Sequence, residues 1–273
     1  MSILVLAPLV RALTTALLVV SASVAAEALG PFWGALIAAM PVSTGPAYVF
    51  LAMRHGPDFI AASALASFVA NASTGIFLIV YARLAPRISA WPALGCAVLA
   101  WLAASLALHG FAWTPLRGVV TNLLVYGVGC ALPVAAVGRS ARDPDGRRPM
   151  QRRWFELPIR AAAVAVFVAA VVALSAAIGP AATGMAAVFP ISLISLIVVV
   201  RPRLGAAAVA VLAANALRAM IGFGLMLLVL ACTAKPLGTA PALIIALAVF
   251  LCWSACLLLW RHAGQRRAAS TRQ

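Results

Sequence analysis

Two proline-interrupted segments and three buried-looking polar side chains are the places where this sequence offers chemistry. The first segment reads Pro41-Val42-Ser43-Thr44-Gly45-Pro46; the second reads Pro190-Ile191-Ser192, with Ser195 one turn further on. Both lie inside long apolar runs. An internal proline removes a helix hydrogen bond and clashes with the turn before it, and in lipid the freed carbonyls need another partner. A broken helix can therefore present carbonyls, hydroxyls and half-helix dipoles to a solute or ion. The competing reading is a simple kink, repaired by neighbouring Ser and Thr hydroxyls. Asn71 and Asn215 sit mid-run in two other apolar segments, Asn71 followed by Ser73 and Thr74. An unpaired amide is costly in hydrocarbon, so each must face other helices, either to hold a solute or as interhelical glue worth about 1–2 kcal/mol or less. Arg218 follows Asn215 by three residues and can share its helix face. A charge at the bilayer centre costs roughly 2.5–3.5 kcal/mol on insertion scales. Arg218 is accordingly expected to line a wet cavity and meet an anionic group, unless its helix is long and shifted enough for it to snorkel to an interface. The candidate solute-binding set is Pro41, Ser43, Thr44, Asn71, Thr74, Pro190, Ser192, Ser195, Asn215 and Arg218.

Other chemistries find little to build on. No Ser/His/Asp set, phosphate loop, paired carboxylates or metal cluster is visible, so no enzyme, cofactor or metal is expected. Cys252 and Cys256 share a helix face, but neither a His nor a carboxylate lies near to complete a site. They and Cys96, Cys130 and Cys232 read as small apolar side chains in a packed bundle. Glu27 falls near the end of its apolar run and reads as an interfacial cap rather than a proton relay; His55, His109 and His262 fall near loops and ends.

The elements that must position these residues are membrane helices. Of the chain's 273 residues, 65% are hydrophobic and 9% charged, against about 45–50% and about 25% in soluble domains. Apolar runs long enough to cross a bilayer recur throughout. The spans are expected at 8–29, 31–53, 58–82, 90–110, 116–138, 157–178, 180–200, 204–231 and 239–260, an all-α polytopic membrane protein of about nine transmembrane helices. The net charge of +15 sits in loops and tails, the pattern of membrane topology rather than of a nucleic-acid-binding face. Orientation follows from it. Alternate loops and the C-terminal tail hold fourteen basic residues (Arg83, Arg87; Arg139, Arg142, Arg147, Arg148, Arg152, Arg153; Arg201, Arg203; Arg261, Arg266, Arg267, Arg272), whereas the opposite side holds Arg54, Arg117 and Lys235. This places the N-terminus outside and the C-terminus in the cytoplasm. Trp33, Trp91, Trp113, Trp154 and Trp260 fall near helix ends, where indole prefers the interface. Met1 to Val10 lacks a basic region, so no cleavable signal peptide is expected. Nineteen of the twenty basic residues are Arg, a bias of high-GC bacterial genomes, and the expected location is a bacterial inner membrane.

The sequence also repeats at an offset of 149 residues. Arg11-Ala12 matches Arg160-Ala161, Gly30-Pro31 matches Gly179-Pro180, Pro41-Val42-Ser43 matches Pro190-Ile191-Ser192, and Pro92-Ala93-Leu94 matches Pro241-Ala242-Leu243. A five-residue deletion aligns Ala70-Asn71-Ala72 with Ala214-Asn215-Ala216 and Thr74 with Arg218. Four helices per copy with one helix between them give a 4+1+4 inverted-topology repeat. The expected division is 1–112 for the first repeat, 113–138 for the linking helix, 139–156 for a basic cytoplasmic loop, 157–260 for the second repeat and 261–273 for a basic, disordered tail.

The stretch Gly30-Pro31-Phe32-Trp33-Gly34-Ala35-Leu36-Ile37-Ala38-Ala39-Met40-Pro41-Val42-Ser43, followed by Arg54-His55-Gly56, resembles small bacterial inner-membrane proteins of the GlpM type. The likeness spans about residues 8–110 and more faintly 157–260; it implies a fused, inverted pair of membrane-embedded half-units and names no substrate. Inverted repeats with midplane breaks are typical of secondary transporters. The expected function is thus a transporter or permease for a small, anionic solute, working by alternating access. The alternative is a non-transporting scaffold subunit of an envelope-assembly system. Expected partners are the lipid bilayer and a small-molecule solute, with a homodimer as one arrangement and no nucleic acid.

Overall fold

The structure is a computed structural model that describes residues 43–132 and 156–270, leaving aside the side chains of 156–160, Arg203 and 261–270. The first expected span (8–29), the first part of the second with Pro41, and most of the basic loop lie outside the described residues. Among the described residues every regular element is helical: α1 (Thr44–Ala52), α2 (Pro57–Leu84), α3 (Ala90–His109), α4 (Pro115–Ala131), α5 (Glu156–Ala187), α6 (Ile191–Leu237) and α7 (Thr239–Ser270). Five stretches are long and apolar enough to cross a membrane: Pro57–Leu84, Ala90–His109, Ala161–Pro202, Leu204–Leu237 and Thr239–Trp260.

Local sequence explains where the helices begin and turn. Pro57 opens α2 and Pro115 opens α4, where a missing N–H costs nothing. Thr114 caps α4 by accepting a hydrogen bond from Arg117 N at 3.3 Å. α5 turns at Gly179 (φ 75°, ψ 174°) and α6 at Gly205 (φ 80°, ψ 166°), backbone states that favour glycine. Gly179-Pro180 is thus a real corner, as its Gly-Pro pair implies.

α2 is the hub. In its most apolar window 78% of residues are buried, against 22% for Thr239–Trp260, so α2 is an interior helix and α7 a peripheral one. Its neighbours are ordered along it. Ser63 meets Pro180 and Tyr81 meets Arg201, so the limbs 180–187 and 191–204 run beside α2 in its own direction. α3 returns antiparallel, with Trp101 at Thr74. α4 runs parallel, with Gly118 on Phe68 and Asn122 on Asn71. α6 descends antiparallel, with Met220 at Asn71 and Lys235 at Asp58.

Of the two readings of the Pro190 segment, a break and a simple kink, the structure has the break: the helix stops at Ala187 and restarts at Ile191, with Pro190 at φ −77°, ψ 43°. Two expectations need correcting. The span expected at 204–231 runs on to Leu237, because Pro236 sits in the last turn, where its lost hydrogen bond matters little. The tail after Trp260, read as disordered, continues α7 as helix to Ser270. α4 is described to Ala131; the rest of the expected linking helix to 138 lies outside the described residues.

Candidate functional site: the junction at the broken helix

A helix that ends in a buried place leaves its last carbonyls without partners. The limb 180–187 ends in the middle of the bundle, beside buried Val188 and Leu193. Each carbonyl there has an identified donor. Ser67 Oγ donates to Gly184 O at 2.6 Å. Val188 N and Phe189 N donate to Met185 O and Ala186 O at 3.3 and 2.9 Å. Thr44 Oγ1 donates to Ala187 O at 2.9 Å, and Thr74 Oγ1 to Val188 O at 3.4 Å. Ile191 N reaches Phe189 O at 2.7 Å, and Ile194 N reaches Pro190 O at 2.8 Å. Side-chain hydroxyls of α1 and α2 thus replace the hydrogen bonds that the break removes.

The hydroxyls are themselves held. Tyr48 OH lies 2.7 Å from Ser67 Oγ, and Trp101 Nε1 donates to Thr74 Oγ1 at 3.2 Å. Ser63 Oγ donates to Pro180 O at 2.9 Å. Gly184 permits this close approach: a Cβ there would lie 2.0 Å from Ser63 O. The junction borders a small cavity of about 30 Å³ lined by Ser43, Thr44, Thr74, Pro190, Ser192 and Met220, among others. That is room for about two water molecules at about 10–15 Å³ each.

A second polar cluster lies one turn away on α2. Asn71 Nδ2 donates to Asn122 Oδ1 at 3.1 Å and to Met220 O at 3.4 Å. Asn122 Nδ2 donates to Phe68 O and Gly118 O at 2.8 and 2.9 Å. Tyr126 OH donates to the Asn71 carbonyl at 2.9 Å. This cluster floors a groove of about 250 Å³ between α4 and α6.

The expected site residues therefore divide. Ser43, Thr44, Thr74, Pro190 and Ser192 converge on the junction cavity. Ser195 bonds back to Ser192 O at 3.0 Å, within its own helix. Asn71 is fully buried but belongs to the second cluster. Asn215 is half-buried and lines neither cavity. Arg218 is exposed, with its guanidinium carbon 5.9 Å from the centre of the Trp260 ring and its carbonyl accepting from Trp253 Nε1 at 3.0 Å. The side chain reaches along α6 toward the helix end where Trp260 sits, the arrangement of a snorkelling arginine. Pro41 lies outside the described residues.

Sequence reasoning missed Ser63, Ser67, Tyr48, Trp101, Asn122 and Tyr126. Asn122 carried a usable signal, a lone amide inside an apolar run. The Ser63 and Ser67 pair is spaced one turn apart, but serine is common in membrane helices and its partners lie 117 residues away. Among the described residues no group of three or more His, Cys, Asp or Glu gathers to hold a metal, and all five cysteines are exposed singly. Compared with family models, with curated proteins and with solved structures, the chain matches none.

Proposed function

We propose that this chain is a membrane permease for a small polar solute, caught with its central site closed, and that the solute binds at the junction of the broken helix. The observation that carries the reading is that two helices, one starting after Ser43 and one after Pro190, begin at one point. α1 begins at Thr44, just after Ser43, and the limb 191–204 begins just after Pro190; both line the same cavity. From there they run to opposite ends of the bundle. α1 leads to His55 beside Ser175, whereas 191–204 leads to Arg201 clamped on Ala85 O and Ile88 O. Opposite directions from a common centre support an inverted repeat of about nine helices, an architecture suited to exchange between inward- and outward-open forms.

The junction's chemistry favours a solute rich in hydrogen-bond donors. Its polar surface is carbonyl oxygen and hydroxyl at the C-terminal, electronegative end of a half-helix. Arg218 stands outside it, so among the described residues nothing cationic at the junction favours an anion.

The alternative, a non-transporting scaffold, has one observation on its side: a cavity of about 30 Å³ admits no solute larger than water without opening. Accessibility separates the two. In a background with the five native cysteines replaced, Ser43→Cys and Ser192→Cys should react with a membrane-impermeant thiol reagent from each side of sealed vesicles. Solute binding should shift that balance. Two positions inert from both sides would overturn the permease reading and favour the scaffold.

A further inference from the structure

Arg218 stands on the outside of the bundle, exposed, where α6 lies against α7. Its backbone is fixed there. Trp253 Nε1 of α7 donates to Arg218 O at 3.0 Å. Gly222, one turn further along α6, lets the two helices close: a Cβ on it would fall 2.2 Å from the Trp253 ring. The side chain is steered by Trp260, whose ring centre lies 5.9 Å from the guanidinium carbon, near the outer limit of cation–π attraction. Among the described residues no carboxylate or hydrogen-bond acceptor meets its five N–H donors.

Depth says what is available to them. α7 crosses the apolar layer from Thr239 to Trp260, 22 residues, or about 33 Å at about 1.5 Å per residue. That matches the ~30 Å of a hydrocarbon core. Trp260 therefore marks a membrane boundary, and a charge beside it stands at headgroup level. Arg218 precedes Lys235 by 17 residues, about 26 Å along the helix, and Lys235 is paired with Asp58 at the opposite end of the bundle. The Cα of Arg218 thus lies inside the apolar layer while its guanidinium reaches the boundary. The negative charge found at that depth is lipid phosphate, whose oxygens suit the planar guanidinium fork. Beyond Trp260, α7 continues as helix to Ser270 with Arg261, Arg266 and Arg267 in its sequence. Such a juxtamembrane basic segment draws anionic lipid to the same end of the molecule.

We infer that the α6–α7 contact at Arg218 and Trp260 binds an anionic phospholipid, its phosphate on the Arg218 guanidinium and its acyl chains on the apolar surface that α7 exposes at Leu251 and Leu259. A zwitterionic lipid brings the same phosphate with a cation of its own, so net charge separates the two. The inference rests on the chain crossing a bilayer and is independent of the permease reading, since a scaffold would expose the same arginine.

The test uses the full-length protein in phosphatidylcholine nanodiscs doped with phosphatidylglycerol or phosphatidylcholine that carries a diazirine next to the headgroup. Cross-linked peptides are mapped by mass spectrometry. Phosphatidylglycerol should label the segments around Arg218 and Trp260 roughly fivefold more than phosphatidylcholine, the preference that one basic side chain near an anionic surface supplies. Arg218→Gln should abolish that excess; it keeps the backbone carbonyl that Trp253 holds, so the helix pair stays closed. Arg218→Lys, which keeps the charge, should retain most of it. Equal labelling by the two lipids would overturn the inference. So would an excess that persists in Arg218→Gln, which would assign it to the basic tail, or one lost in both variants, which would show that charge does not select the lipid. Competition by inorganic phosphate alone would overturn it too, showing an anion site that needs no lipid.

Discussion

The junction and the groove place polar atoms at similar depth in one apolar bundle, yet they treat them differently. At the junction, each carbonyl exposed by the helix break meets a donor, three of them hydroxyls of Ser67, Thr44 and Thr74 and the rest backbone N–H groups of the turn around Pro190. At the groove, a network of two amides and a phenol leaves one acceptor over. The carbonyls of the first arrangement have their donors within the fold and must exchange them to bind anything else. The second carries a buried acceptor that no donor reaches among the described residues. A helix break therefore does not by itself announce an open site in a membrane protein; the arithmetic of donors and acceptors around it does.

The largest effect should come from the contact that holds the junction together. Gly184 lies so close to α2 that the Cβ of Gly184→Ala would fall 2.0 Å from Ser63 O and 2.9 Å from Ser63 C. Backbone, not a flexible side chain, stands in the way. The limb must move off α2, losing the Ser63 and Ser67 bonds with it. The expected destabilisation is at or beyond the about 1–3 kcal/mol of ordinary overpacking, read as a drop in the unfolding midpoint in detergent. A near-neutral Gly184→Ala would mean that the two helices do not pack this closely, and the donor account of the junction would fall with it.

A matched pair of substitutions tests the comparison itself. Thr44→Val removes one donor and strands one carbonyl, Ala187 O. Asn122→Leu removes two donors and an acceptor, leaving Asn71 Nδ2 only its longer bond to Met220 O and loosening Phe68 O. Polar bonds between membrane helices average about 0.6 kcal/mol and reach about 1.7. Thr44→Val should therefore cost less than about 1 kcal/mol, and Asn122→Leu roughly twice as much. The reverse order, in unfolding measured under identical detergent conditions, would show that the groove network is weak and that its orphaned acceptor carries no strain.

Much of this was legible in the sequence, and the boundary is instructive. The apolar runs gave the helices, and Gly179-Pro180 and Pro190 gave the corner and the break, because glycine and proline act on their own backbone. Ser43, Thr44, Thr74 and Ser192 line one cavity, and each stands out in the sequence as a hydroxyl within or beside an apolar run, Ser43, Thr44 and Ser192 next to prolines. Asn71 was separated from them by geometry that no local signal carries: its partner Asn122 is 51 residues away on another helix. Arg218 shows the limit of depth reasoning. Counting residues put it mid-helix, and α6 does extend well to either side of it. Its long side chain nevertheless reaches Trp260, so the position of its Cα says little about where the charge resides. Polarity alone does not mean disorder in the tail: Arg, Ala and Gln after Trp260 are good helix formers that extend an existing helix without a new nucleation step.

The smallest effect sharpens the comparison from outside both regions. Asp58 and Lys235 form an ion pair at 2.8 Å, tying the start of α2 to the end of α6. Their side chains are 86% and 62% exposed, so the pair should contribute about 0–1 kcal/mol and less in high salt. Asp58→Asn should barely move the unfolding midpoint. The useful readout is elsewhere. Cys130 sits on the groove rim, more than two turns of α4 beyond Asn122, so its alkylation rate, measured with the other four cysteines replaced, reports the width of the slot. If the groove is shaped by the side chains that line it, Asp58→Asn leaves that rate unchanged. If instead α2 and α6 splay as rigid rods hinged at this end, the rate rises as the pair is lost, and rises likewise with salt in the unsubstituted protein. The second result would make the groove's width a property of the whole helix pair, and Asn71's missing donor a consequence of how far apart the ion pair lets the helices stand.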